Sequence, residues 1–145
     1  MIFDKILSFF SNTSEVPQED LSKTAKASPF IISNYFRPIR INSKKENSVD
    51  LILKIKNKST TSQLCSVVVE VPNELGLDGT GLSKSKEFRI GNIEPGELKE
   101  LIVPIYATSQ TPAANFKIAI KVYSHYRDYK HILNMVRKIV ELRAV

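Results

Sequence analysis

Cysteine occurs once in this chain of 145 residues, tryptophan is absent, and histidine and methionine occur twice each. A single thiol excludes an intrachain disulfide and any zinc site built on paired cysteines. No apolar run approaches the roughly 18 residues that a membrane-spanning helix needs. There is no internal repeat and no low-complexity tract, and this length argues against a large multi-domain enzyme. What is present is the composition of a globular domain, with 42% hydrophobic and 25% charged residues. A chain near 150 residues buries roughly 68–70% of its unfolded surface, enough to fold without staples.

The net charge is +6, and its distribution is uneven. Residues 116–145 hold seven basic side chains (Lys117, Lys121, Arg127, Lys130, Arg137, Lys138 and Arg143) against Asp128 and Glu141. A local basic excess is a statement about polyanionic partners and solvated faces, not about fold.

Along the chain, residues 1–10 (MIFDKILSFF) place Ile2, Phe3, Ile6, Leu7 and Phe10 on one side of a helix. Asp4 and Lys5 interrupt the apolar stretch, so the segment reads as a short amphipathic helix and not as a cleaved secretory signal. Residues 11–29 are polar, carry two prolines and lack an apolar period, as a linker does. The expected organisation is therefore a helix and linker over 1–28 and a folded domain over 29–145.

From Pro29 onward the period changes to two. Extended segments are expected over 30–32 and 35–41, broken around Pro38. Residues 49–57 (VDLILKIKN) put Val49, Leu51, Leu53 and Ile55 on one face. Residues 64–71 (LCSVVVEV) are β-branched and stop at Pro72, which cannot donate to a central ladder. Residues 73–86 carry three glycines and read as a long flexible loop. A strand over 87–93 leads into Glu94-Pro95-Gly96-Glu97, where Pro then Gly suits a type II turn. Alternating strands follow over 98–107, 116–123 and 136–145. About seven short strands with turn chemistry between them, and no helices alternating with them, predict an all-β antiparallel sandwich.

The punctuation of these strands resembles a family. A strand ends in Asn57, and a second runs into Pro72 and the Gly76-Leu77 loop. After them come the Ile93-Glu94-Pro95-Gly96 turn and a strand opening after a small-residue loop at 111–115. This order is similar to the immunoglobulin-like accessory modules of the CARDB and NEW3 type, over residues 49–123. The family usually has Asn-x-Gly where this chain has Asn57-Lys58-Ser59, and a Gly where Asn115 precedes Phe116. The resemblance implies an immunoglobulin-like fold and a non-catalytic binding or assembly role, and brings no catalytic residues with it.

The residues themselves offer little chemistry. His125 and His131, with Asp128 between them, match no metal-ligand spacing and lie among cations. Cys65 sits in a β-branched run with no neighbouring base, as a buried inert thiol does. The glycines over 76–81 lack the Lys-Ser/Thr and the helix of a phosphate loop. Asn12-Thr13-Ser14 and Asn57-Lys58-Ser59 match the glycosylation pattern by chance. The most distinctive segment is 123–134 (YSHYRDYKHILN), with three of the five tyrosines and both histidines. Its simplest reading is a hairpin that covers one end of the sandwich, with Tyr126 and Tyr129 keeping their hydroxyls in water.

These features lead us to expect a cytoplasmic, non-catalytic protein-interaction or scaffold module that needs no cofactor. Candidate interaction residues are Phe3, Leu7 and Phe10 in the first segment, and Tyr126, Arg127, Tyr129 and Lys130 in the second. A protein partner or self-association is the first expectation. Nucleic-acid binding by the basic, Tyr-rich segment 117–143 is an alternative, since aromatics stack on bases while cations meet phosphates. Peripheral membrane association through the first helix is the weakest, because its polar face carries one Lys and one Asp.

Overall fold

The computed structural model describes residues 28–145. The helix expected over residues 1–10, with Phe3, Leu7 and Phe10, and the Asn12 motif lie outside the described residues. Within them the chain is all-β. In order it forms β1 (Phe30–Arg37), β2 (Arg40–Ile41), β3 (Asn47–Asn57), β4 (Gln63–Glu70), β5 (Leu75–Gly76), β6 (Ser85–Ile93), β7 (Leu98–Ala107), β8 (Ala114–His125) and β9 (Ile132–Ala144). Two sheets face each other, ordered β1-β3-β7-β5 and β2-β9-β8-β4-β6. Every pairing is antiparallel except β2 with β9. This is the immunoglobulin-like sandwich, with seven long strands and two of only two residues.

The inward residues of both sheets form one core. Val49, Leu51, Leu53 and Ile55 of β3 are buried as their alternation predicts, against Val67, Val69, Ile118, Ile120 and Leu142 of the facing sheet. Each such side chain stabilises the fold by about 1.5–3 kcal/mol relative to exposure. Ile52 breaks the pattern: it points outward yet is only 1% exposed. Tyr35 and Ile102 stand directly opposite it on the two flanking strands, and cross-strand neighbours on one face pack together.

The structure corrects two sequence expectations here. The segments expected over 30–32 and 35–41 are instead one unbroken β1 and a separate β2. Pro38 has no N–H to continue the ladder, so the chain leaves β3 and crosses to β9 in the other sheet. The loop expected to be flexible over 73–86 contains β5 and is tied from within. The Lys84 ammonium donates to the carbonyls of Asn73 (2.8 Å), Gly81 (2.7 Å) and Leu75, using its three protons. Gly76 and Gly81 touch backbone to backbone: a Cβ on Gly76 would fall 2.5 Å from the Gly81 Cα. The Glu94–Glu97 turn forms as expected, closed by the Glu97 N–H on the Glu94 carbonyl (2.9 Å) with Gly96 at φ 79°.

A polar side chain closes each end of the sandwich. At one end Asn57 is fully buried, and its Nδ2 donates to the carbonyls of Thr61 (2.8 Å) and Ile93 (2.7 Å). Its Oδ1 accepts from the N–H and the hydroxyl of Ser59 (2.8 and 2.6 Å). The amide is thus saturated, and burial leaves nothing for a glycosylating enzyme to reach. At the other end Thr111, also fully buried, donates its hydroxyl to the Glu74 carbonyl (2.6 Å) and accepts from the Thr108 N–H (2.9 Å).

Three substitutions, one of them a control, test these constraints by urea denaturation. Asn57→Ala strands the buried Ile93 carbonyl and is expected to cost about 1–3 kcal/mol. Ser62→Ala, which removes only an exposed contact to Glu94, is expected to change stability by less than about 0.5 kcal/mol. Gly76→Ala forces two backbones apart and is expected to cost about 1–3 kcal/mol.

Candidate interaction surface

The β8–β9 hairpin rises at the Asn57 end. Its register passes from Ser124 opposite Asn134 to His125 opposite Ile132, so Leu133 is an extra residue on β9. Such a bulge bends the strand and re-aims nearby side chains. Residues 126–131 close the tip, with the Tyr126 N–H on the His131 carbonyl (2.8 Å). The Asp128 carboxylate accepts from the Lys130 N–H (2.9 Å) and lies 2.8 Å from His131 Nδ1, and these bonds hold its carboxyl below the usual range. Arg127 occupies the left-handed region at φ 70°, which costs a non-glycine residue roughly 1–2 kcal/mol.

Beneath the tip lies a buried polar pair that the sequence reading missed. Ser66 Oγ and His125 Nε2 are 2.7 Å apart, with the two residues 1% and 6% exposed. His125 Nδ1 is buried without a hydrogen-bond partner among the described residues. A nucleophile needs access and a base needs an orienting group on its far nitrogen, and this pair has neither. What the contact does in the fold is tie the end of β8 to β4. Ser66 is the one hydroxyl inside a run of β-branched residues, and that was the available signal.

Tyr129 completes the support and corrects the expectation of a hydroxyl in water. Its ring meets His125 edge-on at 5.1 Å, and the Arg89 guanidinium lies 4.7 Å over it. Its hydroxyl accepts from the Gly91 N–H (3.1 Å), a donor freed by the irregular register between β4 and β6. The aromatic ring therefore pins the hairpin to β6.

The sequence-predicted residues accordingly divide. Tyr126 is half exposed, and the Arg127 guanidinium stacks over its ring at 5.0 Å. Ile132 and Leu133 beside them are 59% and 61% exposed. Tyr126, Arg127 and Leu133, together with Gln63 and Asn92, border a groove of about 340 Å³. Lys130 is exposed on the tip. The basic excess over 116–145 is not gathered at the tip. Lys117, Lys121 and Arg137 lie on the outer face of the five-stranded sheet, where Lys121 pairs with Glu70 at 3.3 Å. Lys138 lies on the opposite face of β9 and reaches the Ile32 carbonyl, while Arg143 reaches Asn115 at the far end. Cys65 is fully buried, and burial pushes its thiol up to about 12.

No family model matches the chain, of the CARDB or NEW3 type or any other, and no curated protein is similar to it in sequence. Solved structures are similar in fold. An alpha-2-macroglobulin from Escherichia coli, spanning domain MG7 to the C-terminus, aligns with 82% of this chain at TM-score 0.61 and 18% identity. A Salmonella alpha-2-macroglobulin variant aligns with 81% at TM-score 0.58 and 17% identity. This chain spans only 17% and 7% of those two proteins. A FixG-related protein from Vibrio parahaemolyticus aligns at TM-score 0.52 and 15% identity, over 81% of this chain and 98% of its own. Identities this low speak to the immunoglobulin-like sandwich alone.

Burial holds the His125 imidazole below its ordinary value of 6.5, a tendency opposed by Glu87 and Asp128 and reinforced by Arg89. The unfolded chain therefore binds a proton that the folded chain does not. The corresponding stability is full above that value and is lost as the pH falls below it, until the folded imidazole itself protonates. The melting temperature is expected to drop between pH 7 and pH 5. His125→Gln should flatten that part of the profile, and an unchanged slope would separate it from this residue.

Proposed function

We propose that the domain is a non-catalytic, cytoplasmic protein-interaction module that engages its partner through the tip of the β8–β9 hairpin. The observation that carries the reading is the Tyr126–Arg127 stack, held on a buried support beside exposed Ile132 and Leu133. Tyrosine and arginine dominate the energetics of protein interfaces, and they act best when pre-organised on rigid elements. The Ser66–His125 and Tyr129–Gly91 bonds supply that rigidity. The resemblance to CARDB and NEW3 modules belongs to the same reading, since it implies binding or assembly. A protein surface suits the tip better than nucleic acid does. Its exposed aliphatic side chains lack a phosphate-binding role, and the cations are dispersed over three faces.

Arg127→Gly and Tyr126→Ser test the reading on the full chain. Glycine relieves the left-handed conformation, so Arg127→Gly is expected to hold or raise the melting temperature by the equivalent of about 1 kcal/mol. Each variant is expected to weaken a partner captured by the wild-type chain about 30-fold, the size of a hot-spot loss. Capture unaffected by both variants would move the contact elsewhere. Retention of single-stranded oligonucleotides at low salt, lost with Tyr126→Ser, would favour nucleic acid instead.

A further inference from the structure

We propose that a second copy of the chain adds to the open margin of β9, antiparallel and centred on Ile139. This surface is separate from the hairpin tip and does not depend on it.

β9 pairs with β8 along its length, but on its other side β2 meets only Arg143 and Ala144. Next to them, Val145 turns both its N–H and its carbonyl toward β2, bonding Ile41 (2.9 Å) and Ser43 (2.8 Å). Backbone groups alternate along a strand, so Glu141, Ile139, Arg137 and Met135 aim theirs to the same side. Among the described residues no strand covers them. Met135 and Ile139 are 36% and 43% exposed there, and no proline interrupts β9.

The charges select the register. Arg137 stands opposite Lys121 on β8, whose own ion pair is with Glu70. Neither Arg137 nor Glu141 has an ion-pair partner among the described residues. Between the Leu133 bulge and β2, three antiparallel self-pairings keep seven or more residues together. Centred on residue 137, Arg137 opposes its own copy. Centred on 138, Lys138 opposes its own copy. Like charges directly opposite destabilise a ladder. Centred on 139, Ile139 meets Ile139, Lys138 meets Val140, and Arg137 meets Glu141 twice across the two-fold axis. That register alone satisfies both charges. It also brings Met135 of the second copy level with Arg143, where β2 blocks the margin. The paired stretch is therefore 136–142, and the bulge at Leu133 bends the incoming strand just beyond it. Closed two-fold pairing of identical surfaces is the commonest form of self-association. A ladder of this length is small beside a standard interface, so association is expected in the micromolar range or weaker.

The test is sedimentation equilibrium of the full chain from low micromolar to millimolar concentration. Arg137→Glu and Glu141→Arg are each expected to weaken the dimer about tenfold, since each places like charges opposite one another twice. The double exchange, Arg137→Glu with Glu141→Arg, is expected to restore it. Ile139→Pro should abolish it while the domain stays folded, because that N–H faces the open margin. Arg127→Gly should leave it unchanged. A chain that stays monomeric throughout overturns the proposal and leaves the tip reading intact. So does a dimer indifferent to the single exchanges, or one lost only when residues 1–27 are removed.

Discussion

One buried amide sets the end of the sandwich on which everything else is mounted. Asn57 ends β3 in one sheet, and its side chain holds the Ile93 carbonyl at the end of β6 in the other. Its own backbone bonds the Glu94–Glu97 turn, through the Glu97 carbonyl and the Gly96 N–H. Two loops, 58–62 and 94–97, are thereby fixed relative to both sheets by a group whose donors and acceptors are all used. The alternatives for such a group are costly, since a buried unpaired carbonyl or amide loses its hydration without recompense. The β6 terminus held by Asn57 is also where Gly91 and Arg89 receive Tyr129. The hairpin tip is thus positioned by a chain of contacts that starts at Asn57.

Rigid and strained features are arranged in sequence along that hairpin. Ser66, His125 and Tyr129 give the hairpin base a fixed geometry through buried polar contacts, which are expensive to leave half satisfied. The price of that fixity appears at Arg127, in a backbone conformation that a glycine would adopt freely. Strain of this kind persists only where surrounding bonds over-determine the backbone, as the Tyr126–His131 and Asp128 bonds do here. The result is an arginine whose guanidinium is laid on Tyr126 instead of being free to wander.

Most of the fold was legible because its signals are local and repetitive. Alternation placed β3, β4, β7 and the body of β8 within a residue or two, and the Pro95-Gly96 pair identified its turn. What escaped depends on partners distant in the chain. Ile52 reads as outward from its own strand, and only the flanking Tyr35 and Ile102 bury it. Lys84 looks like any surface lysine until three carbonyls of the preceding loop converge on it. Tyr129 was grouped with Tyr126 by proximity in sequence, yet the tight tip turns their rings apart, one toward β6 and one toward solvent. At the tip, sequence reading singled out the segment, within which Tyr126 and Arg127 are exposed and stacked while Tyr129 turns to β6. The Ser66–His125 contact spans 59 positions and has no periodic signature.

The two margins of the five-stranded sheet show why β9 differs from an ordinary edge. β6 carries Lys86, Glu87 and Arg89 in close succession, with Gly91 twisting its end, devices that discourage another strand from pairing. β9 has its bulge at one end and β2 at the other, leaving a regular stretch between them where apolar residues alternate with an opposite-charge pair. Such a stretch is protected against indiscriminate pairing by Arg137 and Lys138, and is permissive toward one register. In that register the two hairpin tips point in opposite directions. Each lies about eight residues from the two-fold axis, which places them roughly 50 Å apart at the rise of an extended strand. Two tips so far apart cannot grip one small partner, but they can bridge two partners or two sites on a repeating assembly. For such a target the second contact is intramolecular, and avidity grows without any new interaction at the tip. A weak edge dimer and a modest tip surface would then act together as a geometry-selective coupler.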